Sequence, residues 1–183
     1  MKKFIFITLL LFNINAQSEE NLRFTLHEKT IGEVTEKNWS DKYLYIAIGY
    51  ISCPDICPTT LLDMTEVIDN LGEDTDKIIP IFISIDPKRD TPEKLYDYVN
   101  YFSPKIKGLV GNHEQTQAVA ERLRATYGYQ LDGTPIEPPL PERYEVYHST
   151  YNYLYSPKRE LVDVFGYGTA GKDVAQQIKE LIP

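Results

Sequence analysis

Residues 43–50 read YLYIAIGY, an uncharged run rich in aromatic and β-branched side chains, which predicts a buried strand that leads straight into a cysteine. After the cysteines, Leu61, Met64, Ile68 and Leu71 recur at spacings of three and four, giving a helix with one apolar face that stops at Gly72. Pro58 suits the first helical position, because its missing N–H is not needed there, and this puts Cys57 at the N-cap. KIIPIFISID, residues 77–86, predicts a second buried strand. Thr91 and Pro92 then open a helix through Phe102 with Leu95, Tyr98, Val99 and Phe102 on one face. A short strand at GLVG follows. Asn112 and Gln115 form a capping box at the head of a helix running to about Tyr127. Residues 128–142 carry four prolines and two glycines and read as a mobile surface loop. YHSTYNYLYS and ELVDVFGYG predict two strands joined at PKR, the first beginning at His148, and KDVAQQIKELI closes the chain as an amphipathic helix.

Strand, cysteines, helix, strand, helix, then hairpin and helix imply an α/β fold, a central mixed β-sheet flanked by helices on a thioredoxin-like plan. No repeat or second domain is visible, and residues 17–183 are expected to form one domain. Ahead of it, Lys2 and Lys3 precede an apolar run from Phe4 to Phe12 and a small residue at Ala16, the layout of a secretory signal spanning residues 1–16. The alternative is an uncleaved N-terminal membrane anchor, although a run of nine residues falls short of a bilayer span. Both place the domain outside the cytoplasm, in the periplasm or on the outer side of the inner membrane. The chain is formally −8, and removing Lys2 and Lys3 with the leader takes it to −10, which argues against nucleic acid as a partner.

Cys53 and Cys57 are the only cysteines, in the stretch GYISCPDICPTT. A bridge between them closes so short a loop that it constrains the unfolded chain little, so chemistry explains the pair better than stapling. On the thioredoxin-like plan they lie where a strand meets a helix N-terminus, whose N–H groups and partial positive charge are expected to lower a thiol pKa. Positions four apart can bring their α-carbons to disulfide range, so a redox pair is one reading. Two converging thiolates also form a soft ligand pair suited to Cu(I) or Zn(II), and with two cysteines a four-sulfur site would need a shared chain. The third ligand would come from His27, His113 or His148. His148 starts the strand expected beside the cysteine loop and is favoured; His113 at an exposed helix start and His27 at the end of a short strand read as incidental.

Asp86 and Asp90 in SIDPKRDTPE read first as turn and capping residues. Asp86 leaves the sheet at the cysteine end, so it is also a candidate for supporting the site or docking something beside it, as is Asp55 between the cysteines. A periplasmic binding module whose disulfide is incidental is a third reading, separated by whether loss of both cysteines leaves function intact.

Three segments, GYISCPDICPTTL, ISIDPKRDTPEKLYDYVNYF and VYHSTYNYLYSP, in this order resemble the Sco/SenC family, copper chaperones of cytochrome c oxidase assembly, with the likeness running from about Leu22 to Ile182. The resemblance implies a thioredoxin-like fold binding one copper, as Cu(I) or Cu(II), through Cys53, Cys57 and His148. It implies as client subunit II of cytochrome c oxidase or another copper enzyme, with a periplasmic copper donor and a thiol reductant as further partners. The alternative function is a periplasmic thiol–disulfide oxidoreductase using Cys53 and Cys57 on such a client.

Overall fold

The computed structural model describes residues 21–183; the expected signal or anchor at 1–16 lies outside the described residues. Two short strands, β1 (Thr25–Glu28) and β2 (Gly32–Thr35), pair antiparallel ahead of the main sheet. A single turn of 3-10 helix at Glu36–Trp39 leads to β3 (Tyr43–Gly49), in which every residue after Tyr43 is buried. That uniform burial is what an alternation-free apolar run requires, since both faces of the strand are covered.

β3 feeds the cysteine loop and then α1 (Ile56–Leu71), which ends at Gly72 with φ 63°, a backbone conformation glycine adopts without strain. β4 (Ile78–Ser84), α2 (Pro92–Phe102), β5 (Lys107–Leu109) and α3 (His113–Leu123) follow. Thr91 caps α2 by accepting from the Lys94 N–H, with Pro92 in the first turn, and the Asn112–Gln115 capping box opens α3 as its sequence predicts. α3 ends earlier than expected because Arg124 turns left-handed.

Residues 128–142 hold more structure than a loop. β6 (Tyr127–Leu131) and β7 (Thr134–Ile136) form a hairpin turning at Asp132–Gly133, and β8 (Glu145–His148) adds to its other edge, giving a small sheet in the order β7-β6-β8. The expected single strand YHSTYNYLYS is therefore two. His148 ends β8 in the small sheet, and β9 (Tyr151–Tyr155) begins three residues later in the main one. β10 (Leu161–Gly166) returns antiparallel to β9, and α4 (Gly171–Leu181) closes the chain against α1.

The main sheet runs β10-β9-β3-β4-β5, with β9 antiparallel to both its neighbours and the other four strands running one way, the mixed thioredoxin-like sheet expected. One core of Ile46, Leu61, Met64, Phe82, Ile83, Leu95 and Leu154 lies between this sheet and its helices. Tyr129, Leu140 and Tyr144 make a second, smaller core under the insertion. The parallel strands β3 and β4 both release their chains at one sheet end, after Gly49 and Ser84, and that end carries the chemistry.

Candidate metal centre

Cys53 follows the turn out of β3, its N–H donating to the Tyr50 carbonyl at 3.3 Å. The helix begins at Ile56 rather than at Pro58, so Asp55 takes the N-cap position and Cys57 lies inside the first turn, a correction to its expected place as the cap. The consequence is direct: the Cys57 N–H, an unsatisfied donor of that first turn, points at the Cys53 sulfur, 3.4 Å away. Both cysteines are buried and unbridged.

His148 arrives from the small sheet. Its Nε2 stands 3.6 Å from the Cys57 sulfur, while its Nδ1 lies 2.9 Å from the Ser149 carbonyl. A carbonyl can only accept, so Nδ1 carries the proton and the Nε2 lone pair faces the sulfurs. Burial lowers the His148 pKa, partly opposed by the Ser149 bond, and this keeps the ring neutral. The ring is also fixed edge-on by Tyr50, at 6.0 Å between centroids, and the Tyr50 hydroxyl donates to the Val146 carbonyl of β8 at 3.3 Å.

The ligand atoms of Cys53, Cys57 and His148 all lie within 4.8 Å of one another, and among the described residues no other three His, Cys, Asp or Glu side chains converge in this way. Two sulfurs and an imidazole nitrogen suit a soft or borderline cation, and a set of three donors leaves a further coordination position to a ligand from outside the chain. Helix-terminus stabilisation does not prevail at Cys57. Burial pushes its thiol well above the ordinary value, helped by the bond with Cys53 and by the nearby charges of Cys53 and Asp90. The expectation of a depressed pKa thus fails for this sulfur, since desolvation of a buried thiolate outweighs the one dipole.

The remaining expected residues disperse. Asp55 is exposed, and its side chain caps nothing. His27 is exposed on β1, bridged through its backbone to Val110. His113 is half-buried, not exposed, and its Nδ1 meets the Tyr129 hydroxyl at 3.3 Å.

Asp86 is fully buried beside the centre. Its carboxylate takes Arg89 on one oxygen and the Tyr144 hydroxyl, at 2.5 Å, on the other. The Arg89 guanidinium covers the Tyr144 ring at 4.1 Å, and Lys88 donates to the Leu140 and Pro141 carbonyls at 2.8 and 2.7 Å. The β4–α2 loop therefore clasps the insertion that delivers His148. Asp90 does more than the turn chemistry its sequence suggests. Buried, it accepts from Ser84 Oγ at 2.6 Å and from the Ile51 N–H at 3.2 Å, tying the cysteine loop to the same β4–α2 loop.

Gly49, Tyr50, Arg89 and Tyr144 escape sequence reasoning. A Cβ on Gly49 would lie 2.7 Å from the Cys57 sulfur and collide with the Phe82 ring, so only glycine lets the sulfur lie against the strand. The glycine inside the GYISC strand end is the one signal that could have flagged a close approach.

The model of SCO1/SenC proteins matches residues 13–183 of this chain. The chain belongs to the SCO1/SenC family. The SCO2-like protein of Rickettsia felis is 37% identical over 134 residues, covering 73% of this chain and 63% of that protein. The mitochondrial SCO1 homolog of Homo sapiens is 36% identical over 157 residues, covering 85% of this chain and 50% of that protein. This SCO1/SenC chain thus spans between half and two thirds of the length of these relatives. In three dimensions it superposes on Arabidopsis thaliana ScoI with copper bound at a TM-score of 0.76 and 32% identity, covering 87% of this chain and 96% of that one. Yeast Sco1 with copper bound gives 0.75 and 30%, covering 87% and 86%.

Proposed function

We propose that this SCO1/SenC chain is an extracytoplasmic copper carrier that holds one copper ion as cargo between Cys53, Cys57 and His148 and passes it to a copper-binding subunit of cytochrome c oxidase. The observation that carries this reading is the convergence of two sulfurs and one correctly oriented imidazole nitrogen within 4.8 Å. Relatives solved with copper bound support the choice of metal, and soft sulfur donors favour Cu(I) by their own chemistry. The imidazole also makes the site tolerable to Cu(II), which prefers nitrogen. Loading replaces the thiol protons by metal, and a site with only three donors lets a client's ligands attack the ion before it leaves.

Thiol–disulfide exchange is the second reading, favoured by the contact of the Cys57 N–H with the Cys53 sulfur, which holds the two thiols within reach of each other. In that role a client disulfide is reduced to two thiols while Cys53 and Cys57 become a disulfide, with an external thiol reductant restoring the pair. The high protonation of Cys57 makes it a slow nucleophile and weighs against this as the main activity.

Anaerobic titration of the reduced protein with Cu(I) against a competing chelator tests the assignment. One equivalent is expected to bind, with loss of tight binding in Cys53→Ser and Cys57→Ser and about a tenfold or greater weakening in His148→Ala. Unchanged affinity in a variant lacking all three ligands would sink it. Rapid reduction of a client disulfide with no loss on His148→Ala would favour the second reading instead.

A further inference from the structure

The insertion holds a small recess that the metal centre does not use. About 190 Å³ in volume, it lies between α3 and the hairpin, and its walls include Tyr127, Tyr129, Tyr147, His113, Gln117 and Glu137. That is below the range of pockets that enclose a whole drug-sized molecule, so it suits one small group. Tyr127 and Tyr129 stand at 88° with 5.8 Å between centroids, and two rings at right angles turn π-faces into the corner between them. Tyr147 reaches the recess across β6 at Gly128, its register partner. A Cβ there would collide with the Tyr147 ring and hydroxyl, so only glycine lets the ring lie over the strand.

The polar groups of these walls are electron-rich. Tyr129 gives its one hydroxyl proton to the Ile85 carbonyl at 2.8 Å, so the His113 Nδ1, 3.3 Å from the same hydroxyl, carries a proton and Nε2 keeps the lone pair of the neutral ring. Gln117 donates its amide nitrogen to Glu121 at 3.1 Å, which leaves Oε1 to accept. Glu137 is exposed and, among the described residues, has no hydrogen bond or ion pair. No described lysine or arginine lines the recess. Burial raises the Tyr127 pKa, and the charges of Glu137 and Glu121 raise it further, so the negative field reaches the phenol. Glu114 in the first turn of α3 offsets the positive end of that helix.

The recess is distinct from the metal centre although it shares a strand pair with it. Tyr127 is the register partner of His148, and Tyr147 precedes His148 on β8. Successive strand residues point to opposite faces, so Tyr147 points away from the face that sends His148 to the sulfurs.

We propose that this recess binds a primary alkylammonium ion, the head group of a lysine side chain or of a free amine. A carboxylate without a partner and tyrosine π-faces attract a cation, and an anion would meet only lone pairs and ring faces. The His113 Nε2, the Gln117 Oε1 and the Glu137 carboxylate match the three N–H donors of an ammonium, whereas a quaternary ammonium has none to give. A space fit for one small group favours that compact charge over the planar fork of a guanidinium. The proposal concerns the insertion alone and does not rest on copper.

The test uses the full chain, free of metal, titrated with butylammonium chloride at fixed ionic strength and read by amide NMR shifts. The shifts are expected to centre on Gly128, Glu137 and Tyr147. Butylammonium should bind roughly tenfold more tightly than neutral pentanol, and more tightly than tetramethylammonium. Glu137→Gln, an exposed change that breaks no bond, should weaken butylammonium roughly fivefold, and Tyr147→Leu roughly threefold. Glu73→Gln, at an exposed carboxylate after α1, should leave it unchanged. The N-acetyl, N-methylamide derivative of lysine separates the two sources. Affinity equal to that of butylammonium supports the site as a receptor for a partner's lysine, and affinity lost with the backbone attached supports it as a receptor for a free amine. Butylammonium no tighter than pentanol, shifts spread over the acidic surface, or equal loss in Glu137→Gln and Glu73→Gln would overturn the proposal. Copper is absent throughout, so no outcome bears on the carrier assignment.

Discussion

Gly49 shows how one residue sets the geometry of the centre. The space its Cβ would need is held by the Cys57 sulfur and the Phe82 ring, both inside the core. Gly49→Ala must displace one of them, and overpacking of this kind costs about 1–3 kcal/mol. The expected outcome is a lower denaturation midpoint together with weaker Cu(I) binding; a variant as stable as wild type with unchanged affinity would show that the sulfur has room to retreat. The raised Cys57 pKa leads to a second expectation. The metal-free thiol is protonated at neutral pH, so loading must release its proton, and acid competes with copper while alkali favours it. Neutral His148 does not reverse that sign, since burial already lowers its pKa. Apparent Cu(I) affinity should therefore rise at least about tenfold per pH unit across roughly pH 6 to 8, and titration in weak buffer should release at least one proton per copper. A pH-independent affinity would mean that Cys57 is already ionised.

Among the elements, the β4–α2 loop governs how the two halves of the centre meet, since Asp90 holds the cysteine loop and Asp86 with Arg89 holds the insertion through Tyr144. Tyr144→Phe deletes the 2.5 Å bond to a buried carboxylate and keeps the ring, so it should cost about 1–3 kcal/mol in chemical denaturation. It should weaken Cu(I) binding less than His148→Ala does, because the histidine remains on β8. A loss equal to that of His148→Ala would make Tyr144 part of the site and not its support. The helices were legible in the sequence for local reasons: the Asn112–Gln115 box, Thr91 before Pro92, and the Leu61, Met64, Ile68 stripe all act within a few residues. The insertion was not, because Pro135 and Gly133 read as loop chemistry while β6 and β7 are held by pairing to each other and to β8. The same cause split YHSTYNYLYS. Tyr127 claims His148 for one sheet and β3 claims Asn152 to Tyr155 for the other, a division set by distant partners and invisible to periodicity. The cysteine pair stood out as the only two cysteines of the chain, and His148 was preferred among three histidines for its expected place beside the cysteine loop; the structure brings these three side chains together. Asp86 was placed at the right end of the sheet, but its partner Tyr144 lies 58 residues away and carries no local signal.

At the scale of the whole molecule, the proposed ligands join segments with no local reason to stay together. Cys57 and His148 are 91 residues apart, the first on the main core and the second on an insertion with a small core of its own. In the metal-free protein the insertion is held by the Asp86 clasp, by the Tyr129 hydroxyl donating to the Ile85 carbonyl at 2.8 Å, and by Tyr50. A copper ion bonded to both segments adds a link present only in the folded state, so binding must raise stability in proportion to affinity. At free Cu(I) about a thousandfold above the dissociation constant this amounts to about 4 kcal/mol, which for a protein of this size moves the melting temperature by roughly 10 °C. His148→Ala severs the link to the insertion while leaving the sulfurs, so its shift should be clearly smaller, and hydrogen exchange in residues 144–149 should slow on loading in the wild type but not in the variant. Equal shifts and equal protection in both proteins would place the metal on the cysteine loop alone and leave the insertion a bystander.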